Sequence, residues 1–291
     1  MNTPMNTPDP RVNAYRPDLA DARLKGKVES ARFVAGTPRR VVANAAPMKR
    51  TPRADAPLDS EILRGELFTV FEDAAEGWSW GQLETDAYVG YVPTDALGSL
   101  APEPTHRVVA LRASVYPGPD MKLPVQGNLS FGSRVALGEE VTTRGTLYRR
   151  VVGGEGAIVA SLAVPVAAPR ETDFVAVAER FINVPYLWGG RTSFGLDCSS
   201  LLQLSLGATG KAAPRDTDLQ EKMVGAGVEG TAAPLHRGDL VFWKGHVGMM
   251  IDSEYMIHAS GHHMAVVLEE LKDAIDRIAK TGSAVTSVRR L

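Results

Sequence analysis

The chain has 291 residues, of which 44% are hydrophobic and 23% charged, and its formal net charge is −2. A chain of this length accommodates two or three modules with enough apolar side chains for buried cores. Because the charges nearly cancel, nothing attracts the whole chain to nucleic acid or to an anionic membrane, and we expect neither as a partner. Composition alone leaves the oligomeric state open.

The single cysteine, Cys198, excludes an intrachain disulfide and agrees with a reducing compartment. The N-terminal segment lacks the basic start and apolar core of a secretory signal. No run approaches the roughly 18 apolar residues that a membrane span needs. We therefore expect a cytoplasmic protein, with export by an unconventional route left open.

Residues 1–40 are rich in Pro, Asn, Asp and Arg and predict an extended, partly ordered lead-in. From Gly65 the pattern changes to short strands separated by turns at 75–77 and 85–86. We interpret residues 41–102 as a small β-barrel and residues 103–168 as a second one, joined by a Pro-containing linker.

Similar residues recur in the two β segments at separations of 67 or 68 positions. This spacing indicates a degenerate duplication of one β-module. The corresponding pairs are Gly65 and Gly132, Trp80 and Tyr148, and Val92 and Val159.

The remaining residues, 169–291, alternate helical and strand patterns, which is typical of an α+β domain. Thr172 or Asp173 can cap a first helix that runs to Ile182 and ends before Pro185, and a second helix begins near Cys198.

Further along, residues 237–270 predict consecutive strands, with breaks at Gly245, 252–254 and Gly261. Residues 268–280 predict an amphipathic helix that overlaps the end of these strands, and residues 283–291 a closing strand.

Cys198 lies where a Gly-rich loop enters a helix, and free N–H groups together with the helix dipole stabilise a thiolate at such a position. His246 and His258 are an even number of residues apart across a predicted strand reversal, so both face the same side of a sheet, opposite or diagonal to each other. Cys198, His246 and His258 thereby form a candidate nucleophile, base and orienting residue.

Other interpretations of these residues are open. A free cysteine is commonly a small buried hydrophobe, and a single histidine is commonly a hydrogen-bonded structural residue. A metal site built from His246, His258, His262 and His263 is conceivable, but the spacing of these histidines matches no zinc pattern. We therefore expect neither a metal nor a cofactor.

Three segments together resemble the NlpC-type cell-wall cysteine peptidases, a papain-like family: "PYLWGGRTSFGLDCSSL", "RGDLVFWKGHVGMMI" and "YMIHAS". The resemblance covers roughly residues 170–291. The upstream β segments resemble the bacterial SH3-like domains of the γ-D-glutamyl-diamino acid endopeptidases of this family. The resemblance implies a papain-like domain, with helices packed on an antiparallel sheet, preceded by two SH3-like barrels.

The resemblance also implies roles for individual residues. Cys198 is the nucleophile, His246 the general base and His258 the residue that orients it. Tyr186 supports the oxyanion together with the Cys198 backbone N–H. Ser200 stands where most relatives have glycine, and it is small enough for the same close packing.

The resemblance further implies a pocket for the free amino group of a substrate's N-terminal L-alanine. Asp197 and Ser199 match its positions beside the nucleophile. The first barrel is expected to add a tyrosine and an acid, and the segment at 214–220 to line the cleft. The candidates are Tyr88, Glu66 and Glu72 in the barrel, and Asp216 and Thr217 in the segment.

These features predict a cysteine endopeptidase that cuts the bond between γ-D-glutamate and a diamino acid such as meso-diaminopimelate in murein peptides with a free L-alanine. A cytoplasmic enzyme of this kind would act in the recycling of cell-wall peptides. One alternative is a peptidoglycan-binding protein with an inactive peptidase domain. Another is a papain-like acyltransferase or amidase acting on another substrate, which would need an apolar cleft.

Overall fold

The computed structural model describes residues 8–154, 156–228 and 234–291. Two compact units are present, residues 1–167 and residues 168–291. The predicted barrels belong to the first unit and the predicted peptidase segment to the second. Among the helices of the described ranges, none has the length and apolar character needed to cross a membrane.

In the described part of the first unit, nine strands come first and form a β-module rich in hairpins. They are β1 (Ala20–Asp21), β2 (Phe33–Val34), β3 (Thr37–Val41), β4 (Ala45–Met48), β5 (Ser60–Leu63), β6 (Leu67–Asp73), β7 (Trp78–Leu83), β8 (Val89–Pro93) and β9 (Leu97–Gly98).

Five of these strands form a sheet in the order β8-β7-β6-β3-β9, in which every neighbouring pair is antiparallel. The hairpin of β4 and β5 packs with it around a core that includes Met48, Phe68, Leu83 and Val92. The turn at Ala75–Gly77 is a short 3-10 helix, so the strand breaks predicted in this region coincide with those observed.

The segment before β3 is packed onto this module. Ala14 and Leu19 are buried in a small cluster with Phe71 and Trp80. The guanidinium carbon of Arg16 lies 4.3 Å from the centre of the Trp80 ring, a cation–π contact. Residues 8–36 are therefore a covering layer of the module, although their strands are only two residues long; residues 1–7 of the predicted lead-in lie outside the described part of the chain.

A second β segment completes the first unit. Its strands are β10 (His106–Val108), β11 (Arg112–Val115), β12 (Gly127–Ser130), β13 (Arg134–Val135), β14 (Leu137–Thr143), β15 (Thr146–Val151), β16 (Ala157–Val159) and β17 (Ala163–Pro165).

The strand order of the second β segment parallels that of the first. Its sheets run β14-β15-β16 and β13-β10-β17, next to a β11–β12 hairpin. Gly65 and Gly132, an expected equivalent pair, have φ of +83° and +86°, a conformation that glycine adopts without strain. That this segment is a second SH3-like barrel stays a prediction.

The described residues of the second unit form four helices and eight strands. In chain order they are α1 (Phe174–Glu179), β18 (Arg191–Thr192), β19 (Gly195–Leu196), α2 (Cys198–Ala208), α3 (Thr217–Met223), β20 (Ala226–Gly227), β21 (Leu240–Trp243), β22 (His246–Met250), β23 (Tyr255–Ser260), β24 (Ala265–Glu270), α4 (Leu271–Ala279) and β25 (Val285–Arg290).

Six strands form one sheet in the order β20-β25-β21-β22-β23-β24, with antiparallel neighbours throughout. Helix α2 packs against β22 and β23. Helix α4 packs against the sheet through Ala274, in a cluster with Trp243, Met250 and Met256. This arrangement of helices on an antiparallel sheet is the predicted α+β architecture.

Two helices differ from their predicted extents. Asp173 caps α1 by accepting hydrogen bonds from two backbone N–H groups, but the helix ends at Glu179 and not at Ile182. Asn183 has a φ of +69°, so the chain leaves helical geometry before Pro185. Residues 268–270, predicted both as strand and as helix, belong to β24, because they pair with β23.

Candidate active site

Cys198 is the first residue of α2, as the sequence predicts. Asp197 is the N-cap of this helix, and its Oδ1 accepts a hydrogen bond from the Ser200 N–H at 2.9 Å. The short β18–β19 hairpin immediately before it brings the chain to the helix start. A strong cap and a tight hairpin therefore fix the position of the thiol.

The Cys198 side chain lies against the backbone around His246. Its Sγ is 4.0 Å from the carbonyl oxygen of Gly245. Burial, followed by the negative charge of Asp197, raises the pKa of Cys198 to about 12, although the N–H of Val247 favours the thiolate. Desolvation thus exceeds the stabilisation by the helix start and favours a neutral thiol over the thiolate expected from the sequence.

His246 and His258 form a hydrogen-bonded pair. Nε2 of His246 is 2.8 Å from Nδ1 of His258. In the register of β22 and β23, Met249 pairs with Ile257, so the two histidines are diagonal neighbours on one face of the sheet. The structure thus brings together the two imidazoles that the even spacing placed on one side.

The environment keeps both imidazoles neutral. Burial, together with the nearby His258 and Arg277, lowers the pKa of His246 to about 3. Burial also lowers the pKa of His258, against the opposing effect of Glu269. A neutral imidazole can accept a proton, which is the state that a general base requires.

Glu269 lies behind His258 and was not identified from the sequence. Its Oε2 is 3.0 Å from Nε2 of His258, at ion-pair distance although not aligned as a hydrogen bond in this structure. Arg277 of α4 holds the same carboxylate with two hydrogen bonds of 3.0 and 2.6 Å. Nε2 of His263 lies 3.6 Å from its Oε1.

Burial alone would raise the pKa of Glu269, but its contacts with His258 and Arg277 outweigh this and hold the pKa well below its usual range. The residue is thus a carboxylate at neutral pH. A signal for it existed in the sequence: in the β23–β24 hairpin, Met256 pairs with Glu269, which makes Glu269 a diagonal neighbour of His258. The overlapping helix prediction for 268–280 concealed it.

On the other side of the nucleophile, Asp197 is committed to a buried network. Arg215, which is 1% exposed, binds its two carboxylate oxygens at 3.1 and 2.7 Å. Ser199 donates to Asp197 Oδ1 at 3.0 Å, and the Gly189 N–H to Oδ2 at 3.0 Å. Burial opposes ionisation of Asp197, but Arg215 outweighs it and lowers its pKa.

Arg215 was not identified from the sequence, although it lies in the segment 214–220 that was predicted to line the cleft. Its Nη1 also donates a hydrogen bond to Ser199 Oγ at 2.7 Å. Asp216 and Thr217, the residues predicted there, are the N-cap and the first residue of α3. Arg215 thus connects this segment to Asp197 and Ser199.

Tyr186 is partly buried, and its surroundings place it near the nucleophile. Burial, followed by the charges of Cys198 and Asp197, raises the pKa of its hydroxyl. The phenol is therefore a neutral donor at physiological pH, as an oxyanion-supporting role requires.

The three candidates in the first unit have partners within that unit. Tyr88 is buried in the core of the first module. Glu66 is also buried, and accepts from the Leu63 N–H at 2.7 Å and from Thr85 Oγ1 at 2.9 Å. Glu72 forms an ion pair of 2.7 Å with Arg16.

No group of three or more His, Cys, Asp or Glu side chains in the described ranges has a metal-binding arrangement. The nitrogens of His246 and His258 that approach each other share a hydrogen bond, so they do not converge on a common centre.

Two regions of this chain resemble known protein families. The NlpC/P60 family profile matches residues 183–279, and that of the bacterial dipeptidyl-peptidase SH3 domain matches residues 48–97. The chain is 34% identical to a gamma-D-glutamyl-L-lysine dipeptidyl-peptidase of Bacillus subtilis over 134 residues, which are 43% of this chain and 44% of that protein. It is 27% identical to dipeptidyl-peptidase 6 of Lysinibacillus sphaericus over 238 residues, 76% and 86% of the two chains.

Among solved structures, an NlpC/P60 family protein from Bacillus cereus superimposes with a TM-score of 0.72 at 21% identity, covering 87% of this chain and 99% of that one. This likeness shows a shared fold. The family match falls on the residues that carry Cys198, His246, His258 and Glu269. Residues 183–279 of this chain therefore resemble an NlpC/P60 domain, and residues 48–97 resemble a bacterial dipeptidyl-peptidase SH3 domain.

Proposed function

We propose that the protein is a cysteine endopeptidase that hydrolyses the γ-D-glutamyl–diamino acid bond of murein peptides with a free N-terminal L-alanine. The observation that carries the proposal is the hydrogen-bonded His246–His258 pair at 2.8 Å, next to the Gly245 carbonyl that lies 4.0 Å from the thiol at the start of α2. A nucleophile, a base and an orienting residue are the requirements of thiol-dependent acyl transfer.

Because the resting thiol is neutral, its proton is transferred as it attacks. His246 takes the proton of Cys198 while the sulfur bonds to the γ-carbonyl carbon, and the Cys198 N–H and Tyr186 stabilise the oxyanion. The intermediate collapses to a thioester, and His246 gives its proton to the departing amine of the diamino acid. Water then attacks the thioester with His246 as base, which releases the peptide acid and restores the thiol.

The substrate class is supported by the relatives. Two curated relatives, from Bacillus subtilis and Bacillus cereus, are named gamma-D-glutamyl-L-lysine dipeptidyl-peptidases. L-lysine and meso-diaminopimelate are both diamino acids, so either fits the proposed class. We place the activity in the cytoplasm, in the recycling of cell-wall peptides.

Recognition of a free amine needs a negative charge that is not already neutralised. Asp197 is paired with Arg215, and Glu72 with Arg16. Since Arg215 offsets the charge of Asp197, we propose that the amine is bound through hydrogen bonds at Asp197 and Ser199 rather than by an unpaired carboxylate.

The assay uses L-Ala-γ-D-Glu-L-Lys and its meso-diaminopimelate counterpart, with products identified by mass spectrometry. We expect the wild type to release L-Ala-D-Glu, and the Cys198→Ala variant to release none while retaining the wild-type circular dichroism spectrum. His246→Gln should also be inactive, whereas His262→Gln, a change at an exposed histidine, should retain wild-type rates. Full activity of Cys198→Ala would refute the proposal.

Acetylation of the L-alanine nitrogen tests the amine requirement. We expect the acetylated tripeptide to turn over on the order of 10- to 100-fold more slowly, since it removes a charge-assisted contact of about 1.5–3 kcal/mol. Equal rates on both peptides would remove the free-amine requirement and with it the argument for recycling.

The rival functions give different outcomes. An inactive peptidoglycan-binding protein would bind murein without releasing L-Ala-D-Glu. An acyltransferase or amidase would act on other substrates through an apolar cleft, whereas the residues beside Cys198 are the charged Asp197 and Arg215. The polar peptide end is therefore the better match.

A further inference from the structure

Behind the two histidines, the Glu269 carboxylate of β24 and the Arg277 guanidinium of α4 form a continuous series of polar contacts with them. Arg277 binds Glu269 through both of its oxygens, Glu269 Oε2 lies 3.0 Å from His258 Nε2, and His258 Nδ1 lies 2.8 Å from His246 Nε2. The Glu269 side chain is 12% exposed. These contacts run from α4 to the candidate base without a gap wider than 3.0 Å.

The Glu269 carboxylate determines which ring nitrogen of each histidine carries the hydrogen. An ionised Glu269 only accepts, so it favours the His258 tautomer with its hydrogen on Nε2. Nδ1 of His258 is then an acceptor, and His246 must donate to it from Nε2. That leaves the lone pair of His246 on Nδ1, the nitrogen that does not face His258. The tautomers are assigned from the His246–His258 hydrogen bond and from the Glu269 carboxylate at ion-pair distance from His258 Nε2.

We propose that Glu269 is a positioning residue that sets the tautomer of His258 and favours the imidazolium form of His246, and that Arg277 limits this second effect. The proposal rests on the proposed function for its catalytic meaning, but not for its test. It adds an acid and a cation to the Cys198, His246 and His258 set.

The charges of Glu269 and Arg277 have opposite effects on the pKa of His246. The charge of Glu269 raises the pKa of His246, and that of Arg277 lowers it. Formation of the reactive thiolate–imidazolium pair depends on the difference between the His246 and Cys198 pKa values. Removing the carboxylate should therefore weaken Cys198 reactivity, and removing the guanidinium should strengthen it.

The charged and titratable groups around Glu269 are few. His258 faces it from β23, Arg277 from α4, and His263 from the turn between β23 and β24. Glu270 is the adjacent residue of the same strand and is exposed, so it offers a matched control for the loss of one carboxylate.

The test is the rate of alkylation of Cys198, the only cysteine, by iodoacetamide as a function of pH. We expect Glu269→Gln to react about ten-fold more slowly at neutral pH, equivalent to roughly one pK unit at the imidazole. Arg277→Met should react about three- to ten-fold faster. Glu270→Gln and Arg277→Lys should match the wild type.

Structural damage cannot mimic this result, because it would change both reactivities in the same direction. The proposal is overturned if Glu269→Gln reacts like Glu270→Gln, or if Glu269→Gln and Arg277→Met shift the pH profile the same way. Should Glu269→Gln fail to fold, nitrogen-15 NMR of the histidines decides. Nε2-protonated, neutral rings at His246 and His258 in the wild type support the proposal, and Nδ1-protonated rings overturn it.

Alkylation needs no substrate, so its outcome is separate from that of the peptide assay. A chain that cleaves no murein peptide but shows the opposed shifts would lose the proposed function and keep this inference.

Discussion

Two carboxylate–arginine pairs flank the candidate active site, and they differ in the other partners of the carboxylate. Asp197 and Arg215 are both nearly inaccessible, and Asp197 also accepts from Ser199, Ser200 and Gly189. Glu269 has Arg277 on one side but approaches a histidine on the other. A saturated pair mainly builds structure, whereas a pair with an unsatisfied side can act on a titrating neighbour.

The two carboxylates, taken without their arginines, act oppositely on the reacting groups. Asp197 raises the pKa of Cys198, which disfavours the thiolate. Glu269 raises that of His246, which favours the imidazolium. Arg277 opposes Glu269 at His246, and Arg215 opposes Asp197 at Cys198.

The largest expected effect comes from breaking the saturated pair. Arg215→Met leaves the Asp197 carboxylate buried without its cation, a loss typically worth about 3–5 kcal/mol. We expect hydrogen–deuterium exchange of the α2 amides to accelerate correspondingly. Arg180→Met serves as the matched control: the pair of Arg180 with Glu171 is at the surface, so its loss should cost about 0–1 kcal/mol. Equal exchange in the two variants would contradict the structural role of Arg215.

An effect of intermediate size is expected in the pH dependence of stability. The histidines contribute to this dependence in a different pH range from the carboxylate–arginine pairs. His246 keeps a folded-state pKa of about 3 against an ordinary value of 6.5, so the unfolded chain binds its proton first as pH falls. Below pH 6.5 the second unit should lose up to about 1.4 kcal/mol per pH unit from this residue, and His246→Gln should flatten the loss. Above pH 6.5, His246 does not contribute to the pH dependence of the free energy of unfolding.

The carboxylates respond in a lower window. Both pKa values are depressed in the folded state, so their stabilisation is complete above the ordinary values of 3.8 for Asp197 and 4.5 for Glu269 and is lost as pH falls through the folded values. Denaturant unfolding at several pH values distinguishes the windows. A loss between pH 6.5 and 4.5 that persists in His246→Gln and His258→Gln would contradict this assignment.

The smallest effect is expected at the open side of the Glu269 pair. His263 is 3.6 Å from Glu269, and its side chain is 39% exposed. His263→Gln should therefore change stability by about 0–0.5 kcal/mol and leave the alkylation profile within about two-fold of the wild type. A shift as large as that of Glu269→Gln would show that His263 and not His258 is the partner through which Glu269 acts.

Much of the site was predictable because its signals are local. A Gly-rich loop followed by an apolar run places Cys198 at a helix start, and an even spacing across a reversal places His246 and His258 on one face. Glu269 and Arg215 were not predicted for different reasons. Glu269 lies where strand and helix patterns overlap, and Arg215 pairs with a residue 18 positions earlier through tertiary folding alone.

The sequence by itself determined the module order, the α+β pattern and the identity of the thiol and its two imidazoles, because these depend on spacing and local backbone preference. Only the tertiary structure decided the protonation states and the partners of the acids. Desolvation and ion pairing depend on which groups meet in space, and these reversed the expected charge of Cys198 and joined Asp197 to Arg215 and Glu269 to His258.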